Sequence, residues 1–220
     1  MISTLRVSII AAICAVAATP FGSIGPSFAH QEHATVKRQA RSAKALQTAA
    51  ALRDLWVGHI FWVRNVAQAT LNRDDAGAKI AEQQVVANAR SIAAAIEPFY
   101  GASAKDGLFK LLAGHYGAVK AYLVATAAGD ASGQSTATES LTSNAEEIAV
   151  FLSRANPNLP KDAVNGLLLA HGGHHIQQIQ ELKARNYEAE AKTWEEMKNH
   201  MYQIADAMTD ALAKQFAKKF

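Results

Sequence analysis

Leu52-Arg53-Asp54-Leu55-Trp56-Val57-Gly58-His59-Ile60-Phe61-Trp62-Val63 is answered 56 residues later by Leu108-Phe109-Lys110-Leu111-Leu112-Ala113-Gly114-His115-Tyr116-Gly117-Ala118-Val119. Leu, Leu, Gly, His and Val return at the same places. Laid over 108–163 without gaps, residues 52–107 share 16 identities in 56, among them His59 with His115, Asp74 with Asp130, Gly77 with Gly133, Asn88 with Asn144 and Ile92 with Ile148. A third, more diverged copy over 164–219 keeps Leu167, His171, Ile204 and Ala205. A fixed period of this length marks one supersecondary unit used several times.

Within each copy the apolar residues fall three and four apart, Ala is abundant, and strand-like alternation is scarce, so the unit reads as two helices. Breaks at 73–77, 98–103, 129–133, 156–160 and around Arg185-Asn186 follow the same period. The reading is all-α: three repeated αα-hairpins, 52–107, 108–163 and 164–220, forming a six-helix bundle. Each hairpin hides its apolar face only by docking on its neighbours, and three units are few for a solenoid, so a closed bundle is expected. Asp106 and Asp162, ahead of apolar helical patterns, read as N-caps, and Gly77 and Gly133 as turn residues.

Ahead of the hairpins, one positive charge, an apolar run over 7–18, Pro20, and Ser27-Phe28-Ala29 read as a signal peptide over 1–29. The run is too short to span a bilayer, so no transmembrane segment is expected after cleavage and the protein reads as exported, periplasmic or secreted. Residues 30–51 read as an N-terminal arm and basic helical stretch carrying Lys37, Arg38, Arg41 and Lys44; His30 at the cleaved end is either a copper chelate with the free amine or part of a polar arm. The single cysteine, Cys14, falls inside the leader, so the mature chain has no disulfide and no thiolate ligand. Across 220 residues the net charge is +3, with the basic residues not clustered with aromatics, which argues against a nucleic-acid groove.

His59, His115 and His171 share one position in the first helix of each hairpin, and Asn88, Asn144 and His200 share one in the second. Each follows apolar residues at helical spacing and so faces inward. Counting from the hairpin turn near residue 75 at about 1.5 Å per residue, His59 and Asn88 lie at similar heights, which puts all six polar residues in one interior slab. Buried polar groups must be paired, and two pairings stay open. In one, each hairpin closes its own His-to-Asn hydrogen bond, with His171 to His200 in the third, as a register device. In the other, His59, His115, His171, His175 and His200 converge on a metal, with Asn88 and Asn144 as layer partners. His171 and His175 have the i, i+4 spacing of helical ligands. Nitrogen donors without cysteine suit Zn, Cu, Ni or Fe, and metal affinity is expected to fall as pH drops through about 6.5. The nearest carboxylate candidate is Glu196.

Trp56, Phe61, Trp62 and Trp194 read as core or helix-seam aromatics, and Arg64 either as the partner of an acid at the bundle edge or as a solvated side chain. Asp206 and Asp210 form an i, i+4 carboxylate pair. No phosphate-cradling Gly loop, H-E-x-x-H or G-x-S-x-G occurs, and no nucleophile-base pair is evident, so enzymatic activity ranks behind metal binding and behind a non-catalytic scaffold of the cell envelope. Such a scaffold would contact a protein or the envelope surface through the basic N-terminal stretch.

The run from Leu55 to Asn65, the Asn156-Pro157 turn, and His200-Met201, Ala205-Asp206 and Thr209-Asp210 resemble a poorly characterised bacterial family of small helical-bundle proteins, over about 52–220. The resemblance implies a helical architecture. Its members often carry Asp just before the first histidine, where this chain has Gly58, and are sometimes labelled glycosyltransferase. The residues of this chain supply no nucleotide-sugar site to match that label.

Overall fold

A computed structural model describes residues 41–220; the expected leader, Cys14, His30, Lys37 and Arg38 lie outside the described residues. Six long helices account for nearly all of them: α1 Ala43–Leu71, α2 Asp75–Tyr100, α3 Ala102–Ala128, α4 Ala131–Ala155, α5 Lys161–Lys183 and α6 Tyr187–Gln215. No strand occurs among the described residues. None of the helices is long and apolar enough to cross a membrane. α1 begins at Ala43 under the side-chain cap of Ser42 and runs unbroken past residue 52, so the first hairpin includes residues that read as part of the N-terminal arm.

The helices close on themselves. Each packs against the next from α1 to α6, and α6 returns to α1. α1, α3 and α5 also touch one another, which places the first helix of every hairpin inside and leaves α2, α4 and α6 outside. Apolar contacts fill the interior on either side of one polar level. Leu52, Trp56, Ile60, Ile92, Ile96, Met197, Met201 and Ile204 pack together in one cluster, and Val63, Val66, Val85, Val119, Leu123 and Ile179 in another.

The three hairpins turn in the same way. Arg73, Gly129 and Arg185, spaced 56 apart, adopt left-handed φ values of 60°, 73° and 56°. The residue after each donates its backbone N–H back to Ala69, Ala125 and Glu181 carbonyls. That same residue then caps the second helix: Asp74 accepts from Gly77 N–H, Asp130 from Gly133 N–H and Asn186 from Ala189 N–H. Gly77 and Gly133 are therefore helical residues in the first turn, not turn residues. Asp106 and Asp162 are not N-caps either. Gly101, at φ 82°, reverses the chain in a single residue after α2, so α3 starts well before Asp106. Pro160 precedes α5 and leaves Asp162 in its first turn, where a carboxylate still favours the positive helix end.

Between α1 and α6, the only neighbours in the ring not joined in sequence, the contact includes a row of arginine–carboxylate pairs. Arg41 holds Asp210 at 2.8 and 2.9 Å and reaches Asp206 at 3.3 Å. Arg53 grips Asp206 at 2.9 and 2.6 Å, and Arg64 grips Glu190 at 2.5 and 2.7 Å. The Asp206 and Asp210 pair is thus occupied by arginines. Glu190 is 2% exposed and also accepts from Gln178, whereas Arg64 keeps 29% exposure and lies over Trp194.

Arg64→Met leaves the Glu190 carboxylate buried with Gln178 as its remaining partner, and should lower the unfolding free energy by about 2–3 kcal/mol, less than for a fully buried pair because Arg64 is part-exposed. Adding Glu190→Met to it should recover most of that loss in urea melts; a double variant as unstable as the single one would show that packing, not charge, was lost. At the turns, Arg185→Gly should raise the unfolding free energy by about 0.5 kcal/mol, since a left-handed φ costs a side-chain-bearing residue more than glycine's extra chain entropy. Gly129→Arg should cost a similar amount, and a denaturant midpoint that moves the other way at either position would contradict the shared turn geometry.

Candidate metal centre

Because α1, α3 and α5 form the inner layer, the histidine that each carries at the shared position points at the other two. His59, His115 and His171 are all buried, and His175, one turn after His171 on α5, joins them. One ring nitrogen from each of the four lies within 4.8 Å of the other three. His171 Nε2 and His175 Nε2 are 3.1 Å apart, so one donates and the other accepts. His115 stacks on His171 with centroids 5.3 Å apart, His59 lies 5.5 Å from His171 and 5.6 Å from His175, and Trp56 meets His59 edge-on at 6.2 Å.

His200 is not brought to this group. Its Nε2 donates to the Leu167 carbonyl at 2.8 Å, and its ring meets His174 edge-on at 5.3 Å. The same bond recurs in the other hairpins, where Asn88 Nδ2 donates to Leu55 O at 3.0 Å and Asn144 Nδ2 to Leu111 O at 3.1 Å. These three residues tie the second helix of each hairpin to a backbone carbonyl of the first, at a turn before the histidine. The expected His-to-Asn and His171-to-His200 hydrogen bonds are therefore replaced by bonds to backbone. Gly58 and Gly114 make room for them: a Cβ at these positions would stand 3.1 Å from Asn88 Nδ2 and 3.2 Å from Asn144 Nδ2. An aspartate in place of Gly58 would have to displace that amide. Glu196 also stays outside the four-histidine group, with its side chain 48% exposed and paired with Lys192.

The four rings have few partners of their own. His59 Nε2, both nitrogens of His115, His171 Nδ1 and His175 Nδ1 are buried without a hydrogen bond. Burial disfavours the charged imidazolium, and the neighbouring rings repel a second charge. His59 is pushed down to about 3 and His115 to about 4, with the otherwise unpartnered amide oxygen of Asn144 acting against burial at His115. His171 and His175 are held well below the ordinary range for the same reasons. Four buried neutral imidazoles facing one another, with only one lone pair engaged, in the His171–His175 bond, are compatible with binding a metal ion. Helical spacing alone identified His175; the exclusion of His200 depends on the carbonyl its ring meets on α5, which no spacing in the sequence reports.

Since the folded chain holds these rings neutral below the ordinary histidine value of 6.5, the unfolded chain takes up protons first as pH falls. Stability in the metal-free protein should be full above pH 6.5 and decline steadily below it, by up to about 1.4 kcal/mol per pH unit for each such ring. Denaturant midpoints at pH 7.5, 6.0 and 5.0 should show that decline, with a shallower one in His115→Asn; equal slopes in the two proteins would rule out a buried neutral His115. No protein-family model, curated protein or solved structure matches this chain, so its functional reading rests on the geometry of the bundle interior.

Proposed function

We propose that this is an exported protein that binds one transition-metal ion through His59, His115, His171 and His175. One observation carries the reading: four buried imidazoles converge from the three inner helices while five of their ring nitrogens have no partner within the protein. An unsatisfied buried polar group costs about 1–3 kcal/mol, so a layer serving register alone would be expected to pair these nitrogens. Register already has its own device in the bonds from Asn88, Asn144 and His200 to leucine carbonyls. An all-imidazole donor set suits Zn, Cu, Ni or Fe and argues against Ca or Mg. Tetrahedral ligation at about 2.0–2.1 Å would draw the four nitrogens, which lie within 4.8 Å of one another, closer together. Export rests on the leader-like residues 1–29.

The scaffold reading is less well supported. Of the basic residues that would form its contact face, Arg41 is spent on Asp206 and Asp210.

Protein purified without chelators or metal-affinity columns should contain close to one equivalent of Zn, Cu, Ni or Fe by elemental analysis. Returned to the stripped protein at a hundredfold excess over its Kd, that metal should stabilise the fold by about 2.7 kcal/mol. His115→Asn should abolish the gain and keep the helical circular dichroism. Because burial holds the rings neutral, affinity should persist below the pH of about 6.5 expected of free histidine, and give way only as pH approaches about 4. Absence of metal, together with no shift of the melting curve by any of the four ions, would return the histidines to a structural role.

A further inference from the structure

An ion bound among the four histidines has no open way in, since His59, His115, His171 and His175 are only 1 to 5% exposed. The other two histidines of the described residues, His174 and His200, stand together on one flank of the centre, with ring centroids 5.3 Å apart across the contact between α5 and α6. His200 Nε2 donates to the Leu167 carbonyl, which by helix geometry also accepts from the His171 N–H. The His200 ring therefore lies beside the backbone of one member of the centre, and His174 immediately precedes another, His175, in the chain. Charge on either ring would be felt inside, that of His200 at His171 and that of His174 at His175. His174 is half-buried, and its Nδ1 has no partner. Glu196, one turn before His200 and 48% exposed, sets a carboxylate at the outer edge, and its charge favours a cation at His174.

Only the third hairpin carries these two imidazoles. Trp62 and Ala118 occupy the place of His174 in the other hairpins, and Asn88 and Asn144 the place of His200. An amide suffices for the bond to a leucine carbonyl, so what the His200 ring adds is a second nitrogen. With Nε2 donating, Nδ1 keeps its lone pair. A backbone carbonyl on one imidazole nitrogen is the common way of orienting a ring that binds a metal through the other.

We propose that His174 and His200 form a transfer site, which takes a transition-metal ion from water at the edge between α5 and α6 and passes it to the four-histidine centre. This rests on the metal reading above and adds how the ion enters and leaves. A bare charge is costly in an apolar interior, so the ion must exchange its waters for protein donors in steps. His174 and His200 supply the first nitrogens, next to those of His171 and His175. The side of the centre walled by Leu108, Leu112, Ile148 and Leu168 offers no such donor.

Copper(II) added to the stripped protein is the probe. Its arrival at the centre is followed by freeze-quench electron paramagnetic resonance as the four-nitrogen spectrum, and its release by loss of that spectrum to excess EDTA. His174→Ala places at a half-buried position the residue that already stands there in the second hairpin, and His200→Gln keeps an amide donor for the Leu167 carbonyl. A transfer site lowers one barrier that is crossed in both directions. Each variant should therefore slow uptake and release alike, by about tenfold or more, with copper stoichiometry and Kd unchanged. Rates equal to those of the unaltered protein overturn the transfer site, and so does a raised Kd with unchanged uptake, which would make these rings ligands of the final site; both results leave the metal reading standing. Failure of the stripped protein to take up copper or any of Zn, Ni and Fe overturns the metal reading and this proposal together.

Discussion

Everything in this bundle is arranged around one difficulty: three inner helices meet at a level where each presents an imidazole, in a place water does not reach. Aliphatic packing on both sides of that level supplies the driving force for closure. Leu52, Ile60, Ile92 and Met201 lie in one cluster and Val63, Val85, Val119 and Ile179 in the other. Neither cluster offers the rings a hydrogen bond. The polar level is thus tolerated by the apolar ones rather than contributing to them, since four buried rings with unpartnered nitrogens cost stability where they stand.

Two devices hold that level in place, and they are distinct. Within each hairpin, a side chain on the outer helix donates to a leucine carbonyl on the inner helix, and fixes how far one helix has slid along the other. Asn88 and Asn144 do this against glycines that let the helices approach; His200 does it with an imidazole ring in place of the amide. At the tip of each hairpin, the left-handed turn residue and its following cap set the same angle between the inner and the outer helix. Each hairpin therefore carries its histidine at the same distance from its own tip.

The architecture was legible because its cause is written locally. A 56-residue period, apolar spacing and the histidine at one recurring position require no knowledge of which helix neighbours which. His175 was legible for the same reason, being one turn from His171. What escaped the sequence was settled by juxtaposition. Arg53 and Arg64 find their acids more than a hundred residues away only because the ring closes α1 on α6. His200 looked equivalent to a ligand until its ring met the Leu167 carbonyl. The helix starts were misread at Asp106 because the linker after α2 is a single left-handed glycine, shorter than the loop a capping aspartate suggests.

The seam between α1 and α6 has a kinetic side as well. Two of the three joints between hairpins are peptide links, at Gly101 and at residues 156–160, and the third is not covalent. If the ring breathes, it opens there, and the helix that swings away carries His59 and leaves the other three histidines behind on α3 and α5. The pairs of Arg41 and Arg53 with Asp206 and Asp210, which reach solvent, weaken as salt is added. The closure of the bundle around the four histidines is therefore tied to the ionic strength of the surroundings, through contacts that touch none of the rings.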